Sequence, residues 1–326
     1  MHIPDGMIST PIALITGGGA LGFISYAVHW VKRYLPERKV VLMATLGALI
    51  FALQMLDFPV AAGTSGHFGG GTLAAVTLGF WPAQIVMTAV LGIQALFNDG
   101  GILAFGANVI NLAVIGPAVG YGIYRLAIRV KDNRTARLIG AGVGAWTAAV
   151  ASAAAVALEI GFSGNANLLV VASAMISWHA IIGIGEALIT VALLSYLFAV
   201  RPDLVEGKAH SINPTTEKQP RFSTRTVIIS LIVLAVILVG VSWLASEHPD
   251  GLEYVYFDSG IGRSFHNPEW LSSLPIADYG ISGVANEHLG TVLAGLIGLV
   301  LVSALLWVLL KPRLQKTTKM KESAHE

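Results

Sequence analysis

The chain has 326 residues, 55% of them hydrophobic and only 12% charged, with a mean hydropathy of +0.71 and a formal net charge of +1 at pH 7. That is too apolar for a soluble domain; it predicts an all-α, multi-pass integral protein of the cell membrane, in contact with lipid and without a nucleic-acid partner. No cysteine is present, which excludes disulfides and thiolate ligation, so any metal site must use nitrogen and oxygen.

The N-terminus lacks the basic flank of a secretory signal, and Pro4, Asp5 and Gly6 precede the first apolar run, so Met1 is expected to be the mature terminus. That run, residues 12–31, ends at Lys32, Arg33, Arg38 and Lys39, and the positive-inside rule then puts the N-terminus outside. A second run, 40–56, returns to the outer side at Asp57-Phe58-Pro59. The stretch 72–97 resembles one span, but a single span would put the basic loop Arg125, Arg129, Lys131, Arg134 and Arg137 outside. A break at Gly79-Phe80-Trp81-Pro82 resolves the conflict, with a short inward helix over 71–79 and an outward one over 82–97. Nine residues reach only about 13 Å of a roughly 30 Å hydrocarbon core. The glycine-rich segment 63–71 is therefore expected to dip into the membrane as irregular backbone and to place His67 in a pocket open to the outside.

Runs at 103–124, 138–160 and 168–199 complete a seven-helix unit over residues 1–200. Residues 201–225, with Pro202, Pro214 and Pro220 among mixed charges, read as a cytoplasmic linker. A two-helix unit over 226–310 follows, its spans at 226–245 and 289–310 flanking a large external loop, and 311–326 form a basic inner tail. In this topology 19 of the 20 Lys and Arg residues lie inside, leaving Arg263 alone outside. The loop over 246–287 carries seven acids, which either concentrate cations by their field or form a solvated surface for a partner; His248, His266 and His288 are weak candidate ligands there.

Two short polar stretches stand out, Met1-His2 and His67. A free terminal amine, the next amide nitrogen and the His2 imidazole can close a five-membered and a six-membered chelate ring on one cation. His67 would complete a square of nitrogens, which suits Ni(II) or Cu(II) better than Ca(II) or Mg(II). An ordinary terminal histidine and a polar loop histidine are the alternative. His179 and Glu186, seven residues apart, share a helix face and suit either a proton relay or a buried packing pair. Gln94, Asn98, Asn108 and Asn111 gather near Asp99, either as hydrogen-bonding support for His67 or as polar contacts between helices. The runs Gly17-Gly18-Gly19 and 140–144 are expected as close-packing faces. No G-x-x-x-x-G-K-[ST] loop, H-E-x-x-H or G-x-S-x-G occurs, so any ATP-driven step needs another subunit and no enzyme is expected.

Met1-His2-Ile3-Pro4-Asp5-Gly6-Met7-Ile8-Ser9, Gly63-Thr64-Ser65-Gly66-His67, and Asn98-Asp99-Gly100-Gly101 with Gly106-Ala107-Asn108 resemble the signature segments of the CbiM/NikM family. These are the substrate-capture components of energy-coupling-factor transporters for cobalt and nickel. The resemblance covers residues 1–200, and Pro249-Asp250-Gly251-Leu252-Glu253 with its flanking spans resembles a fused PDGLE domain. The resemblance implies metal bound by Met1, His2 and His67, with Ni(II) or Co(II) as transported substrate. It also implies a transmembrane coupling subunit and cytoplasmic ATPase subunits as partners. The PDGLE fusion and the square of nitrogens favour nickel. A proton-coupled secondary carrier using His179 and Glu186 is the alternative.

Overall fold

In a computed structural model of the protein, the residues described are 1–35, 38–61, 63–201, 204–205, 246, 248–262 and 275–322, with the side chains of 38 and 310–322 excepted. The expected span at 226–245, most of the expected linker, Arg263 and His266 lie outside these residues.

Helix α1 (Thr10–Tyr34) starts after Ser9, with a proline in its first turn, and ends with Lys32 and Arg33 in its last turn, where cations complement the helix dipole. Helix α2 (Arg38–Gln54) returns. Between it and the next helix the backbone forms a small antiparallel ribbon rather than wholly irregular structure. Strand β1 (Phe58–Pro59) pairs with β2 (Ser65–Gly66), Phe58 opposite Gly66, and the turn is held by Val60 N–H donating to Thr64 O (3.0 Å).

Helix α3 (Gly71–Leu78) is eight residues long, about 12 Å at 1.5 Å per residue, and every one of its residues is buried. The break before α4 (Phe80–Leu96) falls at Gly79, whose φ of 95° is a left-handed conformation open to glycine. Helix α4 thus starts two residues earlier than the proline predicts, because Pro82 is accepted in a first turn, where its missing N–H costs nothing.

Helix α5 (Phe105–Asn108), a π-helical stretch over Val109–Ile115 and α6 (Gly116–Val130) run on as one 26-residue rod. Pro117 has no N–H for the α-helical ladder, and Gly116 N–H instead reaches back five residues to Asn111 O. Helix α7 (Arg134–Phe162) is capped by Asn133, which accepts from Ala136 N–H (2.8 Å), and α8 (Leu168–Val200) by Asn167. Helix α9 (Glu287–Glu322) comes last. Among the described residues five helices are long and apolar enough to cross a membrane: α1, the Phe105–Val130 rod, α7, α8, and α9 as far as Leu309. Helices α2 and α4 are apolar but shorter.

Glycines set how closely the helices approach. A Cβ at Gly144 would strike the backbone of Gly120 on α6, and one at Gly142 would press on Val191 of α8. The 140–144 run is therefore a packing face, as its sequence predicts. In the 17–19 run, by contrast, Gly18 faces open space, although Gly17 is where Gly106 of α5 comes close. Helix α9 lies on α2, where a Cβ at Gly47 would collide with Leu306 and one at Gly298 with Phe51. Large apolar side chains face outward on the outermost helices, among them Leu14 (71% exposed) and Leu169 (80%), the distribution of a chain whose outer solvent is lipid.

Candidate metal centre

The amino terminus is buried, and the local sequence explains how. Asn108 on α5 grips the third residue from both sides, its Oδ1 accepting from Ile3 N–H (2.7 Å) and its Nδ2 donating to Ile3 O (3.0 Å). Gly101 N–H donates to the same carbonyl (2.8 Å). Asp5 accepts from three successive backbone N–H groups, Ile102, Leu103 and Ala104, at 2.7–3.1 Å. Asn165 Nδ2 donates to Met7 O and Ser9 N–H donates to Ser163 Oγ before α1 begins. The turn that receives this segment needs a special backbone. Gly100 has φ of 96°, and a Cβ there would sit 3.2 Å from His2 Cβ.

The structure brings Met1, His2 and His67 together. Met1 N lies 2.6 Å from His67 Nε2, and the two imidazoles stack with centroids 4.8 Å apart and planes 6° from parallel. All three residues are buried. His2 Nδ1 is 2.8 Å from Asp99 Oδ1, while its Nε2 is buried without a hydrogen-bond partner. The six-membered chelate ring of the sequence reading uses Nδ1, so closing it requires the ring to turn away from Asp99. Among the described residues no three His, Cys, Asp or Glu side chains gather as a metal site. A cation held here would draw on the terminal amine or backbone, or on side chains that move to meet it.

Three residues outside the sequence-derived set belong to this centre. Asp250 Oδ2 accepts a hydrogen bond from the Met1 amine and lies 3.9 Å from His67 Nε2. Its other oxygen caps a helical turn, accepting from Leu252 N–H (2.8 Å) and Glu253 N–H (2.9 Å), while Glu253 accepts from Asp250 N–H. Asp99 accepts from the Tyr279 hydroxyl (2.5 Å) as well as facing His2. Burial pushes the Asp99 carboxyl up, but the charge and hydrogen bond of His2 and the Tyr279 hydroxyl outweigh it and hold the group down at about 2. Asp250 is likewise penalised by burial, yet the terminal amine and His67 keep it below the usual carboxylate range. The D-x-x-E spacing at Asp250 is a capping-box pattern, a local signal that does not place the residue beside Met1. Nothing in the sequence pointed from Tyr279 to Asp99.

The other candidates have partners of their own. His179 and Glu186 line a cavity of about 20 Å³ together with Met1, His67 and Asp250. Each has its own partner: His179 Nδ1 is 2.8 Å from Met175 O, and Glu186 accepts from the backbone of Gly69 and Gly70. The polar cluster near Asp99 does not support His67. Asn108 holds Ile3, Asn98 donates to Asp278 (3.0 Å), and Asn111 donates to Glu159 (2.7 Å); Gln94 receives Asp99 N–H on its backbone oxygen (3.0 Å). His67 Nδ1 instead lies 3.5 Å from Phe68 O. The side chains of His248 and His288 are exposed, and it is the His248 carbonyl that reaches the centre, accepting from Ser65 Oγ (2.7 Å).

Fold and site together define a polytopic helical membrane protein whose own amino terminus is buried against histidines. The family model for the CbiM cobalt uptake substrate-specific transmembrane region matches residues 2–204, and the PDGLE domain model matches residues 224–312. The chain belongs to the CbiM family. The Rhodobacter capsulatus fused nickel transport protein NikMN is 31% identical, with 93% of this chain and 95% of that protein covered. An Archaeoglobus fulgidus relative named for fused nickel transport is 35% identical over 94% of this chain and 96% of its own length. The crystal structure of a truncated transition metal transporter is 37% identical, covers 61% of this chain and 99% of its own, and superposes with a TM-score of 0.56.

Proposed function

We propose that the protein captures a divalent transition metal for import, nickel in preference to cobalt, as the substrate-binding membrane subunit of an energy-coupling-factor transporter. The observation that carries this reading is the 2.6 Å approach of the Met1 amine to His67 Nε2, made by residues 66 positions apart on a buried, multiply anchored terminus. Met1, His2 and His67 are the ligands in this reading. A neutral imidazole and an amine select a nitrogen-preferring ion, and copper, the stronger binder, must be rejected by availability or release. The nickel and cobalt named in the relatives agree with this chemistry.

The reading takes residues 1–200 as the capture unit, with seven crossings counted through the short α3 and its preceding ribbon. It takes 201–225 as the linker, 226–310 as the two-span unit and 311–326 as the inner tail. The N-terminus faces outward, away from the side of the basic loops. A transmembrane coupling subunit and cytoplasmic ATPase subunits supply the energy. The test is nickel uptake by cells holding these subunits, measured with an uncoupler while ATP is kept high. Uptake that survives the uncoupler and stops when the ATPase is removed supports the reading. Uptake that collapses with the uncoupler favours a carrier driven through His179 and Glu186.

A further inference from the structure

We propose that Asp250, carried by the segment after the expected second-unit span, is itself a ligand of the captured metal, an oxygen donor added to the nitrogens of Met1, His2 and His67. The inference rests on the functional reading above and assigns the second unit a direct part in the site.

Three observations carry it. The first is spacing. Donors that share one first-row ion at about 2 Å lie roughly 2.8 Å apart when adjacent and about 4 Å apart when opposite. Met1 N and His67 Nε2 are 2.6 Å apart and His67 Nε2 and Asp250 Oδ2 are 3.9 Å apart, while Oδ2 is in hydrogen-bond contact with the amine. An ion bound by the amine and His67 therefore has Oδ2 close by, and Oδ2 has to approach His67 Nε2 by about 1 Å to stand adjacent to both as an added donor.

The second is preorganisation. Oδ1 is committed to the N–H groups of Leu252 and Glu253, which fixes the carboxylate plane and leaves Oδ2 aimed at the amine. The backbone is clasped to the same ribbon that carries His67, because Ser65 N–H donates to Pro249 O (2.9 Å) and Ser65 Oγ to His248 O. Gly251 is seated where a Cβ would lie 3.0 Å from the His179 ring and closer still to Ile182, so the turn sits tight against α8.

The third is charge. A divalent ion in a buried pocket is costly unless its charge is matched there. A deprotonated His2 amide and Asp250 supply two negative charges among the ligands themselves, with the carboxylate of Asp99 beside His2 outside that set. The oxygen also changes what the site accepts. Four nitrogens in a plane suit Ni(II) and Cu(II), whereas an added oxygen makes a five-coordinate site in which Co(II) is also acceptable.

The test uses the full chain purified in detergent and loaded with Ni(II) or Co(II). Asp250→Asn is the informative variant, because asparagine still caps the helical turn but no longer offers an anionic donor. X-ray absorption at the nickel edge should show a five-coordinate site with an oxygen donor in the unaltered protein and a planar four-coordinate spectrum in Asp250→Asn. Affinity should fall at least about tenfold, the loss seen on removing even an outer-shell partner of a metal site, and more for cobalt than for nickel. A planar four-nitrogen spectrum in the unaltered protein overturns the proposal, whether or not the variant folds. Identical spectra and affinities in the two proteins overturn it as well. His67→Ala separates the two levels: if that variant binds nickel like the unaltered chain, the capture site itself is misassigned, whereas loss there with no change in Asp250→Asn removes only the role of Asp250.

Discussion

Asn108→Ala tests whether the anchored terminus is what makes the site. The amide makes two hydrogen bonds to Ile3, but Gly101 N–H also serves Ile3 O, so the substitution leaves only Ile3 N–H without a partner. An orphaned buried donor costs about 1–3 kcal/mol. Ordering residues 1–5 costs about 5–10 kcal/mol at 1–2 per residue. Against this stand the six hydrogen bonds made by Ile3 and Asp5, at about 1 kcal/mol each. Burial of the Met1 and Ile3 side chains adds about 1.5–3 kcal/mol each. Before the Met1–Asp250 and His2–Asp99 contacts are added, docking is favourable by only a few kcal/mol, and the loss removes a large part of that margin. Nickel affinity, measured by competition with a coloured chelator, should fall by a factor bounded at about 5 to 150. The melting temperature should barely change, because helices α2 to α9 do not depend on this bond. Ser152→Ala removes a comparable bond, 2.8 Å to Asn111 O in the π-helical stretch, and should leave affinity unaltered. An Asn108→Ala affinity within about twofold of the unaltered protein, the usual error of such comparisons, would refute the reasoning.

Gly100→Ala should also impair nickel binding, because it combines a φ of 96° with a methyl group against His2 and Asn108; wild-type affinity in that variant would mean that the turn is not rigid. One residue added before Met1 makes His2 the third residue, so that an amine, two amides and an imidazole can close the square alone. That variant should still bind nickel, no longer need His67, and fail in uptake, as measured by dialysis and radioactive nickel. Single cysteines report topology cleanly in a chain that has none. Exposed Ser259, as cysteine, should react with an impermeant thiol reagent on intact cells, and exposed Thr135 should not; labelling at 135 would invert the assigned orientation.

Helix positions were largely legible because apolar runs and breakers are local signals: α3 ends one residue from its expected limit, and Gly79 marks the break. Met1-His2 could be singled out because it is a chelating sequence in its own right, and the structure gathers it with His67. What the sequence hid is long-range. Asp250 and Tyr279 reach Met1 and Asp99 across 249 and 180 residues, and no periodicity encodes such contacts. The sequence leaves the role of the polar cluster open, because an asparagine's identity does not say whether it supports His67, joins two helices as Asn111 does with Glu159, or holds a backbone peptide as Asn108 does. The orientation of the His2 ring toward Asp99 was equally out of reach, because it depends on a carboxylate placed by a turn 97 residues away.

The central claim is that the terminal amine of Met1 is a metal ligand. Its most direct measurement is nickel affinity of the full chain with that amine free and with it acetylated, every side chain unchanged. Acetylation removes the amine donor and opens the five-membered ring, so tight binding should be lost, along with the protons that binding otherwise releases. Unchanged affinity that still depends on His67 would contradict the account and move the search to the carboxylates and imidazoles around it.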